Sequence, residues 1–134
     1  MGNIVLKEDT PDRGEIVVYQ PDDVTRLEVR VNEDTVWLTQ AQLASLFQKD
    51  QSVIARHIRN VFSEGELDED SNMHILHNTL SRYKPVKIYS LDVIISVGYR
   101  VKSFRGIQFR RWATTVLKEY MLKGYSINQR LNAI

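Results

Sequence analysis

The chain has 134 residues, no cysteine and a formal net charge of +1 at pH 7. This length suffices for one domain with its own core, and the lack of cysteine excludes disulfides. The sequence has neither the apolar core of a signal peptide nor an apolar run of membrane-spanning length, so we expect a cytoplasmic protein with no membrane partner. Residues 1–37 carry nine acidic and four basic side chains, whereas residues 100–124 carry seven basic and one acidic. This segregation predicts a polarised molecule whose basic surface attracts polyanions.

The N-terminal part predicts a flexible lead followed by a small antiparallel sheet. Residues 1–14 combine charged and turn-forming residues with no apolar period, which is typical of a loosely attached segment. Residues 15–20, 27–32 and 35–38 have the composition and alternation of strands. We expect Trp37 to anchor this sheet on the helices that follow.

Residues 39–61 predict a helix-turn-helix. Thr39 and Gln42 have the capping-box spacing, so a first helix begins after Thr39, and Asp50 can cap a second helix. About three residues separate the two helices, as in DNA-reading motifs. The apolar stripes that would bury them are Leu43, Ala44 and Phe47 in the first helix and Ile54, Ile58, Val61 and Phe62 in the second.

The second helix has a polar face opposite its apolar stripe. Ser52, Ala55, Arg56 and Arg59 share this face at helical spacing. The small residues let a backbone approach closely, and either arginine can bind a guanine edge or a phosphate. Gln51 and Ser52, at the helix N-terminus, can bond to bases or to the DNA backbone. We therefore predict that this helix enters a major groove.

An acidic loop and a hairpin follow the second helix. Gly65 ends the helical pattern, and five acidic residues lie in the range 64–70, where we expect a loop that is solvated or in contact with the basic C-terminal part. Residues 73–80 and 86–89 predict the two strands of a wing. Arg82 and Lys84 at its tip suit phosphate or minor-groove contact, and a solvated turn is the alternative.

Two amphipathic helices are predicted in the C-terminal part. Ser90 caps the first, which runs to about Val101 with an apolar face of Leu91, Ile94, Ile95, Gly98 and Tyr99. After a break at residues 102–106, the second has the longest apolar stripe of the chain, which predicts core or a dimer surface. This stripe contains Phe109, Trp112, Ala113, Val116, Leu117, Tyr120 and Met121.

Basic residues around these helices form a second candidate site. It consists of Arg100, Lys102, Arg105, Arg110 and Arg111. With Thr114 and Lys118, Arg111 would extend a ridge beside the recognition helix and dock phosphates. The alternative is a solvated helix face paired with the acidic loop.

Enzyme signatures are missing from the sequence. It contains no Gly-x-Ser-x-Gly, no phosphate-binding Gly-rich loop and no cysteine nucleophile. His74 and His77 fall on a predicted strand, where a spacing of three puts them on opposite faces. We therefore expect a non-enzymatic protein with no cofactor and no metal.

Three segments together resemble the RhuM-type virulence-associated protein family, and the resemblance spans nearly the whole chain. They are TVWLTQAQLASLF, SVIARHIRNVFSEGELDED and YSLDVIISVGYRVKSFRGIQFRRWATTVLKEYMLKGY. The last is also similar to phage antirepressor amino-terminal domains. The resemblance implies a bacterial DNA-binding protein, longer than this chain. The chain departs from the family at Gln48 and Lys49, where a glycine and an apolar residue are typical, which indicates a strained turn.

These observations predict an α+β fold with an N-terminal antiparallel sheet, a helix-turn-helix, a possible β-hairpin wing and C-terminal helices. We expect one winged-helix-like domain at residues 15–124, with residues 125–134 beginning a linker or helical extension. The predicted function is binding of double-stranded DNA, with a possible homodimer. The alternative is a protein interaction or oligomerisation module that uses the apolar stripe at residues 109–121.

Overall fold

The computed structural model describes residues 14–32, 34–77 and 85–123. Its strands form one five-stranded antiparallel sheet in the order β1-β2-β3-β5-β4. The strands are β1 (Glu15–Tyr19), β2 (Leu27–Asn32), β3 (Thr35–Thr39), β4 (Met73–Leu76) and β5 (Val86–Ser90). The three N-terminal strands match the predicted ranges to within one residue, and in β2 buried side chains alternate with more exposed ones.

The base of the predicted hairpin is present, and it is joined to the N-terminal sheet. β4 and β5 pair antiparallel, with Ile75 opposite Lys87, as the sequence suggested. β5 also pairs with β3, where Leu38 lies opposite Tyr89, so the hairpin continues the N-terminal sheet. The proposed wing tip with Arg82 and Lys84 lies outside the described residues, as do the lead at residues 1–13 and the segment 124–134.

Five helices accompany the sheet. They are α1 (Gln40–Phe47), α2 (Gln51–Ser63), α3 (Glu69–Asn72), α4 (Leu91–Arg100) and α5 (Phe104–Lys123). The predicted capping residues are confirmed at three helices, because Thr39, Asp50 and Ser90 each accept a backbone N–H at a helix start. At α1 the reciprocal bond from the Thr39 N–H to the Gln42 side chain completes the capping box. The one-turn helix α3 replaces part of the predicted acidic loop.

One face of the sheet packs on the helices and forms the core. Val29, Val31, Val36 and Leu38 of β2 and β3 are fully buried there. The helices contribute buried side chains from the predicted stripes of α1, α2 and α5, which confirms most of those stripes. These residues are Leu43, Ala44, Phe47, Ile54, Ile58, Phe109, Ala113 and Val116.

Trp37 corrects one expectation, because it does not join the sheet to the helices. Successive residues of a strand point to opposite faces, and Val36 and Leu38 point to the helices. Trp37 therefore lies on the other face, where its ring stacks on His74 at 4.3 Å between centroids. Its indole N–H donates to the Asn32 carbonyl at 3.0 Å. Trp37 thus stabilises the sheet itself.

Three helices end with the same backbone arrangement. At the end of α1 the Lys49 N–H donates to the Ala44 carbonyl at 3.0 Å and Gln48 has a φ of 55°. The bonds after α2 and α4 repeat this Schellman pattern around Gly65 and Lys102, whose φ values are 76° and 56°. The break that sequence placed at residues 102–106 is therefore shorter, and α5 begins at Phe104.

The buried face of α4 differs from the predicted one by about one residue. Val93, Ile94 and Val97 face the core, whereas Tyr99 is 84% exposed. On α5, Met121 is also exposed, although it continues the apolar period. The predicted stripes were wrong at Tyr99 and Met121, because periodicity alone did not fix which side of each helix has a neighbour.

Candidate nucleic-acid interface

α2 is held by its apolar side. Ile54 and Val61 are fully buried and Ile58 is 5% exposed, and the helix packs on α1 and α4. The turn before α2 comprises residues 48–50, so two consecutive helices with a three-residue connection are present as predicted. The opposite side of α2 is turned to solvent.

The solvent side of α2 carries the predicted site residues. Gln51, Ser52, Arg56 and Arg59 are exposed and Ala55 is partly buried. Within the described part of the chain, Arg56 and Arg59 have no hydrogen-bonding or ion-pair partner. Two guanidinium groups one helical turn apart are therefore available to an anionic ligand.

The N-terminus of α2 is internally ordered. Gln51 accepts a bond from the Gln40 side chain at 3.2 Å, which ties α2 to the start of α1. The Ser52 hydroxyl and N–H both donate to the Asp50 carboxylate, and these bonds lower the pKa of Asp50. Ser52 thus has an internal partner, whereas the amide N–H groups of Gln51 remain outward-facing candidates for a ligand.

His57 lies between the exposed and the packed sides of α2. Its Nδ1 is buried and lacks a hydrogen-bond partner among the described residues. Burial lowers the pKa of His57, and the positive charges of Arg56 and Arg100 lower it further. The neutral imidazole is therefore the form that this site favours.

The acidic segment after α2 contacts the basic C-terminal part, which is one of the two arrangements that the sequence predicted for it. Arg100 of α4 donates to Glu64 at 2.9 Å and to Glu66 at 2.7 Å. The Ser96 hydroxyl also donates to Glu66 at 2.6 Å, and this bond together with Arg100 lowers the pKa of Glu66. Arg100 thus supports the alternative in which the basic face pairs with the acidic segment.

The sequence suggested that Arg105 docks phosphates, but the structure turns its side chain inward. Its guanidinium donates to the Leu46 carbonyl, to the Thr25 hydroxyl at 2.6 Å and to Asp22 at 3.4 Å. Asp22 in turn accepts the N–H groups of Val24 and Thr25, both at 2.9 Å. Arg105 therefore joins α5 to the end of α1 and to the β1–β2 connection.

Arg110 and Arg111 are exposed on α5, and neither has an ion-pair partner in the ranges that the structure describes. α5 packs chiefly on α4, α1 and β3, whereas α2 packs on α1 and α4. The five basic residues of the second candidate site thus separate into three groups. Arg100 and Arg105 are bonded internally, Lys102 lies in the α4–α5 connection, and Arg110 and Arg111 are exposed neighbours on α5.

One comparison with known proteins finds a match in the C-terminal half of the chain. Residues 70–133 match the Virulence protein RhuM family. The predicted resemblance to RhuM-type proteins is confirmed over this region, which contains β4, β5, α4 and α5. The RhuM match begins after α2 and thus leaves the helix-turn-helix to be judged on its own geometry. No curated protein and no solved structure matches the chain significantly.

Two further findings describe the environment of this site. None of the helices in the described ranges has both the length and the hydropathy needed to cross a bilayer. Among the same residues, no three histidine or acidic side chains come together as a set of metal ligands. The outward side of α2 is itself a polar and charged surface, since Gln51, Ser52, Arg56 and Arg59 are exposed.

Proposed function

We propose that the chain binds double-stranded DNA by placing α2 in the major groove. The observation that carries this proposal is the pair Arg56 and Arg59, exposed on α2 and unpartnered within the described residues. Arginine forms bidentate bonds with the O6 and N7 atoms of guanine and with phosphates. The proposal implies a cytoplasmic location.

The surroundings of α2 support this proposal. The helix follows α1 after a three-residue turn, and its apolar side is buried against α1 and α4. A rigidly seated helix presents its outward side chains in one orientation, which base readout requires. Ala55, between the arginines and the buried side, leaves room for close approach of the DNA edge.

The acidic segment does not oppose this role. Glu64 and Glu66 lie beyond the C-terminal end of α2 and are paired with Arg100. Pairing offsets part of their negative potential near the helix. Arg56 lies in the N-terminal half of α2, where recognition helices usually contact bases, and Arg59 follows it about one turn later.

Selection from a random duplex pool at two salt concentrations tests the proposal. We expect an enriched sequence motif, and binding that weakens steeply with salt because neutralised phosphates release counterions. An inverted repeat with half-site centres about 10 base pairs apart would indicate two bound copies. Salt-sensitive binding without enrichment would indicate contact with the DNA backbone only.

The double variant Arg56→Ala, Arg59→Ala identifies the surface. We expect it to lose retardation of the selected duplex while its fold is unchanged, because both side chains are exposed. The matched control is Arg26→Ala with Lys87→Ala, which removes the same charge from exposed positions outside α2. An equal loss of binding in both variants would show that only the net charge of the chain matters. Unchanged binding by the Arg56→Ala, Arg59→Ala variant would overturn the assignment of the DNA-binding surface to α2.

A further inference from the structure

An open groove lies between the end of α4 and the start of α5. Its volume is about 570 Å³. It lies on the side of α4 that faces away from Val93 and Val97, and so away from the core. Six of its lining residues carry the argument: Ile95, Tyr99, Lys102, Phe104, Ile107 and Arg110.

The side chains at the groove are unusually apolar for a surface. Tyr99 is 84% exposed, Phe104 is 80% exposed and Ile107 is 40% exposed. They are neighbours around one groove, whereas single exposed apolar residues are common and need no explanation. A contiguous exposed apolar patch with polar residues at its rim is typical of an interaction site.

The floor of the groove is fixed by close packing. Gly98 of α4 and Gly106 of α5 face each other, and the ring of Phe47 lies against both. A Cβ added at Gly98 would come within 3.0 Å of the Phe47 ζ-carbon. The two helices are thus held at a set separation by α1, and a partner meets a groove that needs little rearrangement.

The charge at the rim determines what kind of partner fits. Lys102 and Arg110 lie at the groove, and no ion pair engages either of them within the described residues. Two copies that met through this groove would place these cations against each other, which is unfavourable. Acidic side chains are the complement of the rim, and apolar side chains are the complement of the groove.

Lys102 adds a second observation. It has a φ of 56°, a backbone conformation in which glycine is the least strained residue. The corresponding position after α2 is Gly65. Glycine can therefore replace Lys102 without backbone strain, so a glycine variant removes the charge at the groove while the turn is kept.

We propose that this groove binds an acidic amphipathic helix of another protein. Apolar side chains spaced by three or four residues would pack on Tyr99, Phe104 and Ile107, and carboxylates on its flanks would pair with Lys102 and Arg110. Tyr99 and Phe104 could each stack on a base, but Ile95 and Ile107 complete the groove with aliphatic surface, which the apolar side chains of a helix fit more closely than flat nucleobases do. The groove uses no residue of α2, so this proposal does not depend on DNA binding.

The test is a selection against the full chain from a displayed library of random peptides about 14 residues long, or four helical turns. We expect enriched peptides with apolar residues at i, i+3 or i+4 and i+7 and with Asp or Glu between them. The variant Tyr99→Ser, Phe104→Ser should weaken their binding about tenfold or more, as loss of aromatic anchors usually does. Because both side chains are exposed, the circular dichroism spectrum should be unchanged.

Two further variants separate charge from packing. Lys102→Gly and Arg110→Gln together should weaken peptide binding about threefold to tenfold, and the loss should shrink at high salt. Lys102→Gly alone should not lower the melting temperature, because glycine suits this backbone position. The variant Arg56→Ala, Arg59→Ala should bind the peptides as the native chain does. The DNA-binding proposal and the groove proposal can therefore fail independently, and each failure is recognised by its own variant.

Several results would overturn the proposal. These are a selection that enriches no acidic amphipathic peptide, and enriched peptides whose affinity is unchanged by Tyr99→Ser, Phe104→Ser. A concentration-dependent dimer that this variant abolishes would assign the groove to a second copy of the chain. Binding of labelled oligothymidylate that the variant abolishes, without peptide enrichment, would assign it to single-stranded nucleic acid.

Discussion

Gln48 occupies the turn of the helix-turn-helix in a left-handed backbone conformation that lowers the stability of the fold. The turn between α1 and α2 places it at a φ of 55° and a ψ of 48°, the conformation that glycine adopts most readily. The strain expected from the sequence is therefore located in this single residue, while the hydrogen bonds of the turn are complete.

Gln48→Gly should stabilise the fold by about 0.5–1 kcal/mol, because relief of the left-handed conformation outweighs the greater freedom of glycine in the unfolded chain. Urea unfolding measures this change. Gln48→Val is the matched control and should destabilise, because a β-branched residue tolerates positive φ poorly. A glycine variant less stable than the native chain would contradict the account of the turn.

His57 gives the fold a dependence on pH near neutrality. Its pKa is lowered in the folded state from an ordinary value of 6.5, chiefly by burial. The unfolded chain therefore takes up a proton that the folded chain resists, and stability falls as pH drops below about 6.5.

His57→Gln should flatten the stability profile between about pH 7 and pH 5, because the titrating group is removed. Thermal melts across this range measure the effect. If His57→Gln kept the full dependence on pH, another group would have to be responsible.

At the scale of elements, Arg105 joins parts of the chain that are far apart in sequence. Its partners are Asp22 and Thr25 before β2 and the Leu46 carbonyl at the end of α1. The side chain is 22% exposed, so these bonds are partly shielded from water. This arrangement explains why a basic residue near the groove is unavailable to phosphate.

Arg105→Gln should destabilise the fold by about 2–3 kcal/mol, because it removes charge-assisted bonds and leaves the Leu46 carbonyl without this donor. Denaturant unfolding measures the loss. Arg111→Gln removes the same charge from an exposed neighbour and should change stability by less than about 0.5 kcal/mol. Equal effects would show that the bonds of Arg105 contribute little.

Local signals explain which elements were predictable. The caps at Thr39, Asp50 and Ser90 are visible because the side chain that begins each helix lies only two or three residues from the backbone N–H whose hydrogen bond it accepts. Gly65 was recognised as a helix end because glycine readily adopts the positive φ that ends a helix in this way. Gln48 and Lys102 end their helices in the same way, but their side chains carry no such signal.

Distant contacts explain the errors. The pairing of β3 with β5 joins segments about 50 residues apart, and no pattern within either strand specifies it. Tyr99 continues an apolar period, yet only the neighbours of α4 decide that it faces solvent. Trp37 was misplaced although alternation with Val36 and Leu38 already implied the opposite face. Of the candidate site, the outward face of α2 was predictable, whereas the internal role of Arg105 was not.

The whole molecule should lose stability in two stages as pH falls. The first is the His57 stage below about pH 6.5. The second involves Asp22, Asp50 and Glu66, whose pKa values are lowered in the folded state by hydrogen bonds. Stability from a lowered carboxyl pKa is complete above its unfolded value, 3.8 for Asp and 4.5 for Glu, and is lost as pH falls through the folded value.

Acid unfolding followed by circular dichroism tests the second stage. Glu66→Gln should reduce the loss of stability below about pH 4.5, because the protonated form of Glu66 cannot pair with Arg100. The variant should also be less stable than the native chain at neutral pH.

Two surfaces give the molecule its proposed organisation. The exposed arginines of α2 form one, and the groove between α4 and α5 forms the other, with the acidic segment and Arg100 between them. The first suits a polyanion and the second suits an acidic apolar helix. If both proposals hold, DNA and a protein partner would bind at separate surfaces of the chain.

The salt dependence of affinity for the selected duplex tests the central claim most directly. Each phosphate that the protein neutralises contributes about 0.9 to the slope of log K against log salt concentration. If Arg56 and Arg59 contact the DNA, Arg56→Ala with Arg59→Ala should lower affinity and reduce the magnitude of this slope by up to about 2. The control Arg26→Ala with Lys87→Ala should keep the native slope. A native slope and affinity in the Arg56→Ala, Arg59→Ala variant would contradict binding through α2.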